Sequence, residues 1–377
     1  MAKPLDICIR GAGITGRTLA LLLARERLQV GLVSGPRSAS TDVPVAAPAD
    51  VRAYALNLAS RKLLQSLRCW PDASEATPVL AMQVQGDAGG EVNFRAQDQG
   101  VDALAWIVDV GTLERRLADA AGFQPQIELI DSPQPAALTV VCEGRASSTR
   151  AEFGVGFDVM PYGQHAVAAR LVCSQPHQQT ARQWFTDGEI LGVLPLDGAL
   201  GNSVAIVWSV SEERARSLQD CTAEAFAQQL QAASHGRLGE LTLCSERPAW
   251  PLQLALADRW VGSSAHGAWA LAGDAAHNVH PLSGQGLNLG LADVATLARV
   301  LHERDYWRGV NDEKTLRRYE RSRKADVLAT GATTDGLQRL FSHNGNLWRS
   351  LRNWGMNGFE HSGPLKSWIA KRAMGAL

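Results

Sequence analysis

Two glycine-rich segments carry residue types at spacings that chemistry can use. The first, GAGITG at 11–16, has glycine at 11, 13 and 16. In that pattern Gly11 permits a tight turn, Gly13 lets the backbone approach a pyrophosphate, and Gly16 lets a helix pack close to the preceding strand. The helix it opens, beginning with Ile14 and Thr15, presents unpaired N–H groups to phosphates. The second segment is GDAAHNVHPLSGQGLNLGLAD at 273–293. Here Gly273 and Asp274 follow an apolar run, and a carboxylate in that place can accept hydrogen bonds from a chain of sugar-like hydroxyls. The backbone amides of Gly284, Gln285, Gly286, Leu287 and Asn288 can face an electron-rich ring edge that gains negative charge on reduction. Without a ligand, the first segment is a glycine turn and the second an Asp-capped helix start.

The flanking elements favour the ligand. LDICIR (5–10) is a short buried strand, RTLALLLARERL (17–28) has helical spacing, and QVGLVS (29–34) is a second strand. Together they make a βαβ unit of about 30 residues, the context the glycine pattern needs. The second strand of such units usually ends in an acidic residue that takes the ribose hydroxyls. Ser34 stands in that place, an uncharged partner with fewer acceptor sites. Downstream, AWALAG (268–273) is a strand and a helix runs from about Gly286 through ADVATLARVL. HAVAARLVC and SVAIVWSV signal a mainly antiparallel second sheet. Residues 127–139 are expected to form a loop or a poorly regular strand.

Composition narrows the class. The 377 residues carry 37 Lys+Arg against 38 Asp+Glu, so a general nucleic-acid binder is not expected. The balance hides an uneven distribution, with 14 basic and 8 acidic residues over 301–377. The 6 Cys are scattered without a CxxC pair, which suits reduced thiols of a cytosolic protein, and no metal set is expected. The short apolar run before the first glycines predicts neither a signal peptide nor a membrane span. The 35 Gly fit the two cofactor-like segments in part, whereas 11 Trp against 4 Tyr has no explanation at this level.

The 273–293 segment closely resembles the flavin-binding signature of the para-hydroxybenzoate-hydroxylase-like flavoprotein monooxygenases. It is most similar to the branch that hydroxylates ubiquinone precursors. DVRAYALNLASRKLLQSLRCW (50–70) resembles the segment in which an arginine, here Arg52, lies near the flavin. VVCEGRASSTR (140–150) resembles the middle motif, with Glu143 where Asp is usual. QWFTDGEILGVLPL (183–196) with VAIVWS, YERSRKAD (319–326), and LRNWGMN with GPLKSWIAKRAMG near the C-terminus complete the likeness. In VDVGTLERRL the branch's usual Asn-Arg pair is replaced by Val110-Gly111.

The resemblance implies an α/β fold: an FAD-binding Rossmann-like domain from 1–70, 100–160 and 255–330, interleaved with an antiparallel substrate domain from 71–99 and 161–254. C-terminal helices would occupy 331–377. It implies FAD, with NADPH or NADH as co-substrate, and a flavin C4a-hydroperoxide that uses O2 to hydroxylate the ring of an aromatic small molecule or prenylated phenol. His280 and Pro281 are the candidates beside the reacting centre, Pro281 also as a cofactor contact. His277 and His280 could instead hold their loop by hydrogen bonds. The rival expectation, favoured by Ser34, Glu143 and Gly111, is a flavin-fold scaffold of a quinone-making assembly with little or no catalysis. The cytoplasm is the expected compartment. The basic, aromatic tail (Arg339, Arg349, Arg352, Lys366, Lys371 and Arg372 with Phe341, Trp348, Trp354, Phe359 and Trp368) suits either a helical lid or a surface that meets the inner face of a membrane or a biosynthetic complex.

Overall fold

The computed structural model describes residues 4–34, 50–86, 89–265, 267–278 and 286–342, with side chains through Ala329. A six-stranded sheet runs in the order Val261–Ser264, Gly267–Leu271, Ala136–Val141, Leu5–Arg10, Val30–Val33, Ile127–Ile130. All its pairings are parallel except the hairpin at 261–271. Its central strands are covered on both faces, so they are continuous apolar runs rather than alternating ones. Ile7, Ile9, Leu32 and Val140 are fully buried, and each such side chain contributes about 1.5–3 kcal/mol relative to exposure.

The helices are α1 (Ile14–Arg25), α2 (Leu58–Ser66), α3 (Ala96–Gln99), α4 (Val110–Gly122), α5 (Ser148–Glu152), α6 (Glu212–Asp220), α7 (Ala223–Ala233), α8 (Gly286–His302) and α9 (Glu313–Ser342). α1 packs against both α4 and α8. Leu19 and Leu23 of α1 share a core with Val294 and Leu297 of α8 and the parallel sheet.

A second, larger sheet is built around the long strand Phe157–Cys173, flanked by Ala249–Ala257 and Ser203–Ser211. Glu189–Pro195, Thr180–Thr186, Ala81–Gln85 and Glu91–Arg95 extend it, and only the pairing of 180–186 with 81–85 is parallel within that run. Side chains alternate across it. One face, including Trp184, Leu191, Ile206 and Trp208, packs under Leu218 of α6 and Phe226 of α7. The opposite face places Ala181 and Ala205 against Val79 and Ile107 of a small three-stranded sheet. That small sheet, Ala53–Leu56, Ala105–Asp109 and Ala76–Val79, packs its other face against residues of α1, α2, α4 and α8.

Three features differ from the linear expectation. Residues 127–139 contain two ordered strands, Ile127–Ile130 and Ala136–Val141, the latter central in the parallel sheet. The Pro133 and Pro135 signals mark only the connection between them. Segment 71–99 divides, with Ala76–Val79 in the small sheet and Ala81–Gln85 in the large one. α9 runs without interruption across residue 330. Among the described residues, no helix is long and apolar enough to cross a membrane.

Candidate functional site

The first glycine motif is fixed by backbone crowding. Gly11 has φ +111°, and a Cβ there would lie 2.5 Å from the Cys142 carbonyl oxygen. At Gly16 a Cβ would lie 1.9 Å from the Gly11 carbonyl oxygen, so α1 can approach the Leu5–Arg10 strand only without a side chain. Gly13, the N-cap of α1, is different: no described atom lies within 4 Å of its added Cβ. Among the described residues, nothing likewise lies within 4 Å of a Cβ added at Gly111, in the first turn of α4, or at Gly286, at the start of α8.

The three helix starts each contribute a side chain to one apolar cluster, through Ile14, Val110 and Leu287. The N–H groups of a helix's first turn lack intrahelical partners, and its dipole favours negative charge. Bare glycines beside three such starts leave a cradle in which a long, anionic, hydroxyl-bearing group can lie against backbone donors. The residues present therefore fit FAD.

The second motif meets the first directly. A Cβ at Gly290 would be 3.2 Å from Thr15 Oγ1 and 3.4 Å from Gly273 Cα, so α1, α8 and the turn before Asp274 converge. Gly273 takes φ +63°, which turns the chain from the Gly267–Leu271 strand into the short 3-10 turn holding Asp274. Asp274 remains exposed to solvent. Protein crowds its other sides, so burial pushes its carboxyl up, against the pull of His277, Arg145 and Arg52. A solvent-reached carboxylate ringed by protein is what the floor of a cleft provides, and no described residue hydrogen-bonds to its side chain.

Behind this floor lies a buried polar set. Asp293 accepts from the Gly273 N–H at 2.9 Å, meets His277 Nε2 at 2.6 Å, and accepts from Arg323 Nε at 2.7 Å. Burial alone would raise its carboxyl, but His277 and Arg323 hold it below the usual value. His277 is 1% exposed and stacks on Trp260 at 5.1 Å. It thus holds the turn from behind rather than facing solvent. Asn288 is likewise committed through its side chain: Oδ1 accepts from Asn57 N and Ser60 Oγ, and Nδ2 donates to Ala55 O. It ties α8 to the Ala53–Leu56 strand and α2, leaving its backbone for a ligand.

Arg52 precedes that strand, its guanidinium held by Asp50 through bonds of 2.9 and 2.6 Å. Ser34 is exposed just after the Val30–Val33 strand, where its N–H donates to Ile130 O. Glu143 caps α5, accepting from Ser147 Oγ at 2.7 Å and Thr149 Oγ1 at 2.6 Å. Its carboxylate is turned to local structure. His280, Pro281, Gly284 and Gln285 lie outside the described residues, as does the tail beyond 342.

Tyr54 was not legible as a site residue. Its ring packs against the cluster shared by the three helix starts, and burial raises its hydroxyl above the ordinary value. Only the alternation of AYAL, which sends Tyr54 and Leu56 to one face, hinted at this.

Fold and cradle define a flavoprotein. Residues 112–332 match the family model described as FAD binding domain. The chain is 30% identical to the 3-demethoxyubiquinol 3-hydroxylase of Escherichia coli, with 99% of each chain covered. It is 29% identical to the ubiquinone hydroxylase UbiL of Rhodospirillum rubrum, covering 100% of this chain and 90% of the relative. The solved structure of PqsL, a probable FAD-dependent monooxygenase of Pseudomonas aeruginosa, shares the fold with a TM-score of 0.74 at 21% identity, covering 94% of this chain and 99% of that one. The protein belongs to the FAD-dependent aromatic monooxygenases, in the branch that contains the ubiquinone hydroxylases.

Proposed function

We propose that this protein hydroxylates the ring of a prenylated phenol, a ubiquinone precursor, using FAD, O2 and NADH or NADPH. The observation that carries the reading is the convergence of three glycine-bearing helix starts with Asp274, beside the sheet whose opposite face packs under α6 and α7. The full-length likeness to hydroxylases named for ubiquinone intermediates supports the substrate class.

When bound, FAD accepts two electrons from the nicotinamide and activates O2, so that one oxygen atom enters the ring and the other leaves as water. The chain's own groups bind, orient and exclude water. Gly13 and the α1 N–H groups would hold the pyrophosphate, and Asp274 would accept from the ribityl hydroxyls. The α8 start, from Gly286, favours negative charge gained at the ring edge on reduction. By the family resemblance, Pro281, Gly284, Gln285 and Leu287 would contact the cofactor, and His280 and Pro281 would serve beside the reacting centre. Asp274 keeps its carboxylate accessible because Asp293, from behind, fixes the turn. On the substrate side, Gly192 pairs with Val207, a low surface over which a flat ring can lie.

The test is direct. The purified protein should show flavin absorption and oxidise NADH or NADPH faster when a polyprenyl phenol is added, giving a product heavier by one oxygen atom. A colourless protein that does not bind added FAD would refute the proposal. The same precursor should accumulate when the gene is deleted.

A further inference from the structure

Arg170 sits in the Phe157–Cys173 strand opposite Ala205, on the face of the large sheet that meets the small one. Its guanidinium crosses the boundary between them. Nε donates to the Val51 carbonyl at 3.2 Å, while Nη2 donates to the carbonyls of Asp50 at 3.1 Å and Arg52 at 3.3 Å. Nη2 also meets Asp109 Oδ1 at 2.6 Å. The Arg52 carbonyl accepts a second bond from Val110 N, so one oxygen joins the start of the Ala53–Leu56 strand to the first residue of α4. Asp50, in turn, holds the Arg52 side chain through its carboxylate.

One side chain thus fixes three successive carbonyls and the N-cap residue of α4 to the large sheet. Only a planar fork with several donors can serve such a set; an ammonium group presents three donors from one point. The Arg170–Asp109 ion pair is itself partly exposed, at 27% and 36%, and such pairs contribute little to stability. The arrangement is better suited to placement than to holding the fold together.

We propose that Arg170 is a positioning residue for the hydroxylation. It locks segment 50–52 and the α4 start to the sheet that faces the substrate, and thereby sets where the Arg52 guanidinium stands beside the cofactor cradle. This rests on the hydroxylase reading above.

The test uses the FAD-loaded full-length chain with a polyprenyl phenol and whichever nicotinamide the wild type oxidises. Arg170→Met, Arg170→Lys, Arg52→Lys and the double variant Arg170→Met/Arg52→Lys are compared. Arg170→Met should lower kcat on the order of 10- to 100-fold, as small misplacements do. It should also lower the fraction of oxidised nicotinamide that yields hydroxylated ring, with KM for the phenol changed less than threefold. Arg170→Lys should recover only part of this. Because Arg170 acts through the Arg52 segment, the double variant should be no more than about twofold worse than the worse single. A kcat and coupling for Arg170→Met within twofold of wild type would overturn the proposal, as would losses that multiply in the double variant. If wild type gives no hydroxylated product, the functional reading fails and the clamp is judged by hydrogen exchange alone. Arg170→Met should then speed exchange at the amides of 52–56 and 110–112 at least tenfold, and unchanged exchange would overturn it.

Discussion

One oxygen of the Asp293 carboxylate accepts the backbone N–H of Gly273 at 2.9 Å. α8 therefore holds the residue before Asp274 directly, and Arg323 of α9 holds Asp293 in turn. The predicted cofactor ligand is kept in place by a buried network whose members never reach the cleft.

Asp293→Asn should be strongly destabilising, because Arg323, only 4% exposed, would lose its carboxylate. The cost should be about 3–5 kcal/mol, measured by urea unfolding at pH 7. The wild-type carboxyl is held below its ordinary value, so its stabilisation is complete above the unfolded value of about 3.9 and is lost as pH falls through the native one. The gap between wild type and Asp293→Asn should therefore narrow below about pH 4. A gap independent of pH down to acid unfolding would contradict the network.

Gly13 and Gly16 should respond oppositely to alanine. Gly16→Ala drives a methyl into the Gly11 carbonyl and should lower the apoprotein's melting temperature by many degrees. Gly13→Ala meets no described atom, so apoprotein stability should change by less than about 1 kcal/mol. FAD affinity should nevertheless fall at least tenfold, read by quenching of flavin fluorescence, because the methyl enters the cradle.

Asp274→Asn separates binding from stability. Its carboxyl is pushed up by its surroundings, so the charge is unfavourable to the apoprotein. The variant should be at least as stable as wild type without cofactor yet bind FAD at least tenfold more weakly. A variant that lost stability and kept FAD affinity would mark Asp274 as structural.

Much of this was legible in sequence, for a physical reason. Gly11, Gly16 and Gly273 are fixed by local backbone crowding or a positive φ, so the spacing of these glycines is readable in the sequence. The Ile127–Ile130 and Ala136–Val141 strands were obscured because prolines at their junction outweigh such short apolar runs. Arg170 depends on partners far away in the chain, which no local pattern records, and the motif at 319–326 contains Arg323 without revealing its partner Asp293. Glu143 was placed by motif position, while its actual bonds, to Ser147 and Thr149, belong to the cap of α5. The tryptophan excess also finds a place, since Trp208, Trp260 and Trp269 are among the largest fully buried side chains.

Ser34 offers a gain of affinity. At its exposed place after the Val30–Val33 strand, Ser34→Glu would give the ribose hydroxyls a charged acceptor, and charge-assisted bonds are roughly twice as strong as neutral ones. FAD should bind about three- to tenfold more tightly by titration calorimetry. Unchanged or weaker binding would show that the ribose does not lie there.

The central claim is hydroxylation of a prenylated phenol by bound FAD. Its most direct measurement is mass spectrometry of the phenol after incubation with the FAD-loaded protein, NADH or NADPH, and isotopically labelled O2. The account predicts a product carrying one labelled oxygen on the ring. Nicotinamide oxidation with no labelled product would contradict it.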